Sequence, residues 1–308
     1  MARYLTRRLI ETVVLLVVVS MVSFALILTA PGGPSILMDP NATAQDIARM
    51  RTLLGLDDPL YVQYWRWLAQ VLRGNLGVSM NIGRPVYDVV MQSLPPTLLL
   101  SVAGLGLAVL TAIPLGVASA VRRYSVTDHL SAAVSLFGVS IPVFWYGLML
   151  IVLVSIKVKL FPAGGMYAPG TTSTADLLHH LVLPAFVLGT TNMAPIVRYT
   201  RSSMLTVLRE DYVRTARAKG LAEIHVRYGH ALRNALIPVV TAIGLRLPLL
   251  VGGAAVTETV FSWPGMGNLA VNAAFQRDHS TLMGVTLVVS AVVVLSNLFI
   301  DVLYVYLD

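Results

Sequence analysis

The sequence predicts an all-α integral membrane protein with six transmembrane helices and both termini in the cytoplasm. Hydrophobic residues make up 56% of the 308 residues and charged residues only 12%, whereas soluble domains average about 25% charged residues. Uncharged apolar runs recur along the chain at lengths that cross a bilayer, which takes about 20 residues per helix. Basic residues concentrate in alternate connectors, and such connectors stay on the cytoplasmic side. This bias explains the net charge of +7 without a nucleic-acid partner.

The first predicted domain, 1–30, is one transmembrane helix. Arg3, Arg7 and Arg8 precede the uncharged stretch Thr12–Ala30. That stretch is longer than the apolar core of a signal peptide, and no clear small-x-small cleavage site follows it. We therefore expect a retained helix that enters the membrane from the cytoplasm.

The second predicted domain, 31–95, is an extracytoplasmic helical segment, because its acidic residues nearly balance its basic ones. One helix is predicted from Thr43 and Asp46 to Gly55, and a second over 60–73. By helical spacing the second presents one aromatic and aliphatic face, formed by Tyr61, Tyr64, Trp65, Leu68 and Leu72. Packing of this face on the protein itself or at the membrane interface is favoured over contact with substrate.

The third predicted domain, 96–308, is a core of five membrane spans. The uncharged runs that predict them are 97–120, 131–156, 181–200, 235–256 and 282–303. The connectors that contain Arg122 and Arg123, and then the basic block 198–233, fall on the same side as the N-terminus. This alternation predicts that both termini lie in the cytoplasm.

The cytoplasmic loop at about 203–235 contains a charged corner. Helical spacing predicts one helix over about 205–218 and another over about 222–233, with Gly220 between them. The small residues Ala216 and Ala218 allow a second surface to approach closely. This pattern is typical of a knob that fits a groove in a partner protein. The alternative, a solvated basic loop on anionic lipid, requires the charge but not the small-residue corner.

The stretches DYVRTARAKGL (211–221) and HALRNALIPV (230–239) resemble the EAA loop of binding-protein-dependent ABC importer permeases. Where that family usually has Glu-Ala-Ala, this chain has Arg214, Thr215 and Ala216, with Gly220 retained. This departure matches the dipeptide/oligopeptide/nickel branch. Further similar motifs occur in order along the chain: LGLDDPLYVQYWRWL (54–68), GGAAVTETVFSWPGMGNL (252–269) and RDHSTLMG (277–284).

The resemblance implies the type I ABC importer permease fold and one half of a translocation pathway for di- or oligopeptides in the bacterial cytoplasmic membrane. It implies that the EAA loop couples to an ATPase through Asp211, Tyr212, Arg214, Thr215, Ala216, Arg217, Ala218, Lys219 and Gly220. The implied partners are a homologous second permease, one or two ABC ATPase subunits, an extracytoplasmic substrate-binding protein, the peptide and the lipid bilayer. No cofactor is expected on this chain, because ATP and Mg would be held by the partner ATPase subunits.

The sequence lacks the motifs of common enzymes. A Walker A loop ends in Gly-Lys before Ser or Thr, and no Gly-Lys pair occurs in the chain. HExxH and GxSxG are also absent, and the adjacent His179 and His180 diverge on a helix, which makes a poor metal pair. We expect neither a catalytic site nor a metal site.

Two charged residues fall in or beside a predicted span. Arg246 is placed near mid-membrane, where an unpaired charge is costly. It either lines the pathway and meets a peptide carboxylate, or pairs at the interface with the second permease. Glu258 is expected near the outer end of the same span, with a structural cap or helix–helix hydrogen bond favoured over substrate contact.

Two other functions are compatible with a six-span membrane protein. A self-sufficient secondary transporter typically has internal repeats and several ionisable residues at the midplane, and the sequence shows neither pattern. The same permease role for nickel or another small solute is the other alternative. Nickel favours imidazole and carboxylate ligands, which the predicted spans almost lack, so peptide is the preferred substrate.

Overall fold

The computed structural model describes residues 2–29, 43, 45, 49, 52, 55, 57–244 and 254–307. Within this part the regular secondary structure is helical, apart from one isolated antiparallel bridge between Val78 and Pro85. The helices before the charged loop are α1 (Ala2–Thr29), α2 (Leu60–Leu72), α3 (Val86–Val121), α4 (Val126–Ser140), α5 (Val143–Leu150) and α6 (Thr174–Val207). Those that follow are α7 (Asp211–Ala218), α8 (Leu232–Gly244), α9 (Ala255–Val260), α10 (Met266–Phe275) and α11 (His279–Leu307).

Two segments of the chain wind as π-helix. Ile151–Lys157 continues α5, and His225–Ala231 leads directly into α8. The second segment belongs to a helical stretch that begins at residue 223, three residues after Gly220. The predicted helix of about 222–233 is therefore the start of a longer helix that reaches Gly244.

Four described helices are long and apolar enough to cross a membrane: Thr6–Thr29, Val86–Val121, Thr174–Val207 and His279–Leu298. A fifth span is possible if the bent pair Val126–Gly138 and Val143–Lys157 counts as one. The all-helical fold class is confirmed. The predicted run 235–256 lies only partly within the described residues.

The predicted run 131–156 is not one straight helix, because two helices meet there at 101°. α4 ends at Ser140, Ile141 adopts an extended ψ of 129°, and Pro142 precedes α5. A residue before proline is driven out of the helical region by the proline ring. The break therefore follows from a local steric rule that an apolar-run search overlooks.

One compact unit comprises Met1–Thr97, Val251–Ala255 and Pro264–Asp308. Within it α1 packs against α11, and α2 packs on both through a core of Phe24, Tyr64 and Met283. The Tyr64 hydroxyl shares a hydrogen bond of 2.9 Å with that of Ser20 on α1. These contacts hold α2 beside the C-terminal half of α1.

The predicted bounds of α2 are confirmed, but its single aromatic face is wrong. Tyr64 is buried, whereas Tyr61, Trp65 and Leu72 are exposed. Trp67, which the prediction omitted, takes the inner position and lies 5.6 Å from the Phe24 ring centroid. Helical spacing groups residues on a face, but the neighbouring helix decides which part of a broad face is buried.

The second unit comprises Leu98–Leu250 and Val256–Trp263. α6 lies against α4, α5 and α8. Its core includes Ala108 and Ala112 of α3, Ile196 and Val197 of α6, and Val239 of α8. This bundle positions the charged loop.

Candidate functional site

The charged corner is formed by α7 and the turn that follows it. The predicted helix over about 205–218 is interrupted, because α6 ends at Val207 and α7 begins at Asp211. Between them Arg209 N–H donates to the Thr206 carbonyl over 3.1 Å, and Glu210 is extended with ψ 148°. An extended residue directly before a helix is the usual N-cap geometry. The turn reorients the chain, so α7 is a separate short helix.

Gly220 ends α7 with a left-handed backbone. Its φ is +76°, which glycine adopts without the penalty that a Cβ imposes. Its N–H donates to the Arg217 carbonyl over 2.9 Å, and the Leu221 N–H donates to the Ala216 carbonyl over 3.4 Å. These two bonds define a Schellman motif, which closes a helix C-terminus with backbone atoms. The prediction that α7 stops before Gly220 is confirmed.

The inner face of α7 is anchored in its own chain. Val213 and Ala216 are buried. They share a hydrophobic cluster with Val117 of α3, Met204 of α6 and Ala235 of α8, together with Ala120, Val226 and Ala231. The corner is thus packed on three long helices at once. The small size of Ala216 serves this internal packing, whereas Ala218 faces outward.

The remaining predicted coupling residues form the outer face of α7 and its cap. They are all exposed: Asp211, Tyr212, Arg214, Thr215, Arg217, Ala218, Lys219 and Gly220. Of the nine predicted residues, only Ala216 turns inward.

A carboxylate bridges the two sides of the corner. Glu223 Oε1 accepts from Arg217 Nε over 2.8 Å, and its Oε2 accepts from Arg227 Nε over 2.9 Å. The hydrogen bond from Arg217 is the largest cause that lowers the pKa of the Glu223 carboxyl, and Arg227 adds to it. The carboxylate is therefore ionised at neutral pH, and it joins α7 to the helix after Gly220. An exposed pair of this kind contributes little stability by itself.

Two further hydrogen bonds connect α8 to α7 and to α6. Asn234 Nδ2 on α8 donates to the Tyr212 hydroxyl over 2.8 Å. Ser203 Oγ on α6 donates to the Ala235 carbonyl over 2.8 Å. Because α6, α7 and α8 are cross-linked by side chains as well as by the apolar cluster, the corner is a rigid extension of the bundle.

Sequence reasoning missed an exposed apolar patch beside the charges. Leu221, Ile224 and Tyr228 are 43%, 63% and 55% exposed. Ile224 and Tyr228, four residues apart, share one face of the helix that begins at residue 223, and Leu221 lies in the turn just before it. The spacing of Ile224 and Tyr228 is visible in the sequence, but the prediction for this loop rested on its charged and small residues. The corner therefore offers both apolar and ionic contacts to a partner.

Of the two predicted pathway residues, the structure describes only Glu258. Glu258 is completely buried in the second unit, where its backbone carbonyl accepts from Trp263 N–H over 2.8 Å. The neighbouring Phe261 carbonyl accepts from Gly165 N–H, also over 2.8 Å. Glu258 therefore presents no surface to a pathway in this structure. Arg246 lies outside the described residues.

His179 and His180 lie in α6, not in a loop. His179 Nε2 is 2.9 Å from the Leu160 carbonyl oxygen, and His180 Nδ1 is 2.9 Å from that of Asp176. Their rings are perpendicular, at 89°. In the part of the chain that the structure describes, no three His, Cys, Asp or Glu residues are grouped as metal ligands.

Comparisons with known proteins agree along the whole chain. Residues 112–308 match the family described as "Binding-protein-dependent transport system inner membrane component", and residues 1–101 match the N-terminal family of the same membrane components. The oligopeptide transport system permease protein AppB of Bacillus subtilis is 44% identical over 311 residues, which cover 100% of this chain and 98% of that protein. The dipeptide transport system permease protein DppB of Escherichia coli K12 is 40% identical, with 99% and 97% covered.

The fold is similar to a chain of the MetNI methionine ABC transporter solved in inward-facing conformations. The TM-score is 0.55 at 18% identity, and the match covers 71% of this chain and 96% of the other. At this identity the likeness establishes the fold alone, which is that of a type I ABC permease. Family matches that span nearly the whole chain establish more: the chain belongs to the family of inner membrane components of binding-protein-dependent transport systems.

Proposed function

We propose that this chain is the permease subunit of an ATP-driven importer of di- or oligopeptides and supplies half of the translocation pathway. The observation that carries the proposal is the α7 corner, a short exposed helix closed at Gly220 and packed on α3, α6 and α8. A knob of this kind can transmit movement of a bound partner to the membrane helices, because the packed elements move together.

The corner docks an ATPase in this proposal. Tyr212, Leu221, Ile224 and Tyr228 supply apolar contact area, and the arginines around them supply charge. ATP and Mg are held by one or two partner ATPase subunits. Nucleotide hydrolysis takes place there and not on this chain.

The rest of the assembly follows from the same role. A second, homologous permease completes the pathway, and an extracytoplasmic binding protein delivers substrate. The chain crosses the membrane six times with both termini in the cytoplasm, and 31–95 lies outside the membrane on the opposite face. The side with Arg122, Arg123 and the 198–233 block is cytoplasmic, as the positive-inside bias requires.

Peptide is the proposed substrate because the relatives that cover almost the whole chain are named as oligopeptide and dipeptide permeases. The choice among peptides belongs to the binding protein. A secondary transporter would need no docking corner of this construction.

The test is purification of the complex from its native membrane in mild detergent, followed by peptide uptake in liposomes. We expect a second permease and an ATPase with a Walker A motif to copurify, and uptake to require ATP. Ala218→Trp puts a bulky side chain on the exposed face of α7 and should release the ATPase. Ala175→Trp, at the exposed opposite end of α6, is the matched control and should retain it. Uptake without ATP by this chain alone would contradict the proposal.

A further inference from the structure

A cleft with a volume of about 470 Å³ lies in the second unit between α4 and α6. Its α4 wall is formed by Asp128, His129, Ser131, Ala132, Ser135 and Leu136, and its α6 wall by Val197, Arg198 and Arg201. Residues four apart share a helix face, so Ser131 and Ser135 lie one turn apart along this wall. The charged corner and its ATPase-coupling residues take no part in it.

The cleft is bounded at both ends by contacts between the two helices. At one end a Cβ on Gly138 would lie 2.7 Å from the Thr190 carbonyl oxygen, so the backbones nearly touch. At the other end Arg201 donates twice to Asp128, over 2.8 and 2.9 Å. The space between is therefore a built feature of the α4–α6 pair.

The charge of Arg201 is neutralised within the protein. Its carboxylate partner Asp128 is buried and also accepts from Ser119 Oγ and from the Tyr124 N–H. Arg198, one turn earlier on the same wall, is exposed, and it forms no ion pair with any other described residue. The cleft thus contains a guanidinium whose charge is not balanced by the described chain.

A hydroxyl in the α4 wall also lacks a partner. Ser135 is 6% exposed, and its Oγ makes no hydrogen bond to any described atom. Buried polar atoms are nearly always hydrogen-bonded, and an exception calls for an explanation. Ser135 is one of the residues that line the cleft. Ser131, by contrast, already donates to the Thr127 carbonyl over 2.7 Å.

We propose that this cleft is an anion site that receives the terminal carboxylate of a peptide during its passage, with Arg198 as the ionic contact and Ser135 as the hydrogen-bond donor. A guanidinium pairs with a carboxylate through two parallel N–H donors. Ala132, Leu136 and Val197 provide apolar wall for the adjoining side chain. The site rests on the proposed peptide import, and it gives the permease itself a contact common to peptides of any sequence.

The test exploits the absence of cysteine from this chain. Ala132→Cys places one thiol on an exposed position of the cleft wall. In the assembled transporter in phosphatidylcholine nanodiscs, the labelling rates of anionic sulfonatoethyl and cationic trimethylammonioethyl methanethiosulfonate are compared. We expect the anionic reagent to react about tenfold faster, because of the nearby uncompensated positive charge. Dialanine should slow labelling, and its C-terminal amide should not.

Two substitutions of Arg198 in the Ala132→Cys background test whether its guanidinium causes the charge preference and the protection. Arg198→Gln should abolish both the charge preference and the protection, while Arg198→Lys should keep part of each. Arg122→Gln removes the same charge from an exposed loop outside the cleft and should change neither. Equal labelling by the two reagents, or equal protection by dialanine and its amide, would overturn the site.

The anion has a second possible source in an acidic lipid headgroup. Nanodiscs that contain phosphatidylglycerol distinguish it, because protection by this lipid without peptide would assign the cleft to lipid and overturn the peptide site. Import by the unmodified complex separates the two proposals. If that complex imports dialanine and the cleft is unprotected, only the anion site fails; if it imports no peptide, the proposed function fails as well.

Discussion

At the residue scale the corner depends on one backbone conformation. Gly220 has a φ of +76°, and a Cβ built there would meet no atom within 4 Å. The requirement for glycine is therefore conformational and not steric. A left-handed backbone costs an L-residue about 1–2 kcal/mol, and asparagine pays less than most residues.

Substitutions at Gly220 should consequently rank by backbone preference and not by size. We expect Gly220→Asn to preserve ATPase copurification and uptake, and Gly220→Val to lose most of both, since a β-branched residue is a genuine outlier at positive φ. Gly229→Ala, also free of steric contact but without positive φ, should behave as wild type. Peptide-dependent ATP hydrolysis by the purified complexes measures the ranking. Equal loss with asparagine and valine would show that the corner requires something other than this backbone conformation.

The same residue illustrates what the sequence can and cannot provide. Gly220 and the end of α7 are predictable because a glycine after a helical stretch is a local signal. The inward turn of Ala216 is not, since it depends on Val117 and Met204, which are distant in sequence. The resemblance to a family drew attention to the loop, but only tertiary packing separates its buried side chain from its exposed ones.

At the element scale the second unit is stabilised by an ion pair between helices as well as by apolar packing. Asp128 at the start of α4 receives two hydrogen bonds from Arg201 on α6 and one from Ser119 at the end of α3. Three helices thus converge on one carboxylate. Loss of one partner from a buried ion pair leaves an uncompensated charge.

Substitutions of Arg201 and of Asp128 should lower the stability of the unit by different amounts. Arg201→Gln leaves the Asp128 carboxylate buried without its cation and should lower the stability of the unit by about 3 kcal/mol. Asp128→Asn should cost less, because the Arg201 side chain is 33% exposed and can reach solvent. The double variant should be more stable than the sum of the two effects predicts. Thermal unfolding of the purified complex tests this, with Arg122→Gln as the neutral control; additive losses would contradict a direct ion pair.

The order of the helices was easier to predict than their bends. The apolar runs located α3, α6 and α11, because a membrane span is a long-range compositional signal. The 101° bend between α4 and α5 was missed, although Pro142 stands in the sequence as a local cause. Hydropathy averages over a window, and a single proline does not change the average.

At the scale of the whole molecule the distribution of charge predicts the orientation of the chain in the membrane. The basic connectors precede α4 and surround α7, whereas the connector before α6 is nearly neutral. The cytoplasmic excess of Lys and Arg then predicts that the α3–α4 loop and both termini face inward.

Single cysteines in this cysteine-free chain can map that orientation. Thr172→Cys, in the exposed connector before α6, should react with an impermeant maleimide in intact spheroplasts. Arg123→Cys, in the exposed α3–α4 loop, and a cysteine at Ala2 should react only after lysis. Labelling is read by gel shift, with the unsubstituted chain as the blank. Reaction of Arg123→Cys in intact spheroplasts would reverse the proposed topology.

The Schellman closure of α7 has an evolutionary consequence. The carbonyls of Ala216 and Arg217 and the N–H groups of Gly220 and Leu221 close the end of α7, so this turn does not depend on which side chains the helix displays. Under the proposed coupling, the exposed side chains can therefore change to match a different ATPase surface while the buried face and the glycine stay constant. A permease built in this way can pair with a different ATPase through substitutions on this surface, without changes in the helices that the ATPase moves.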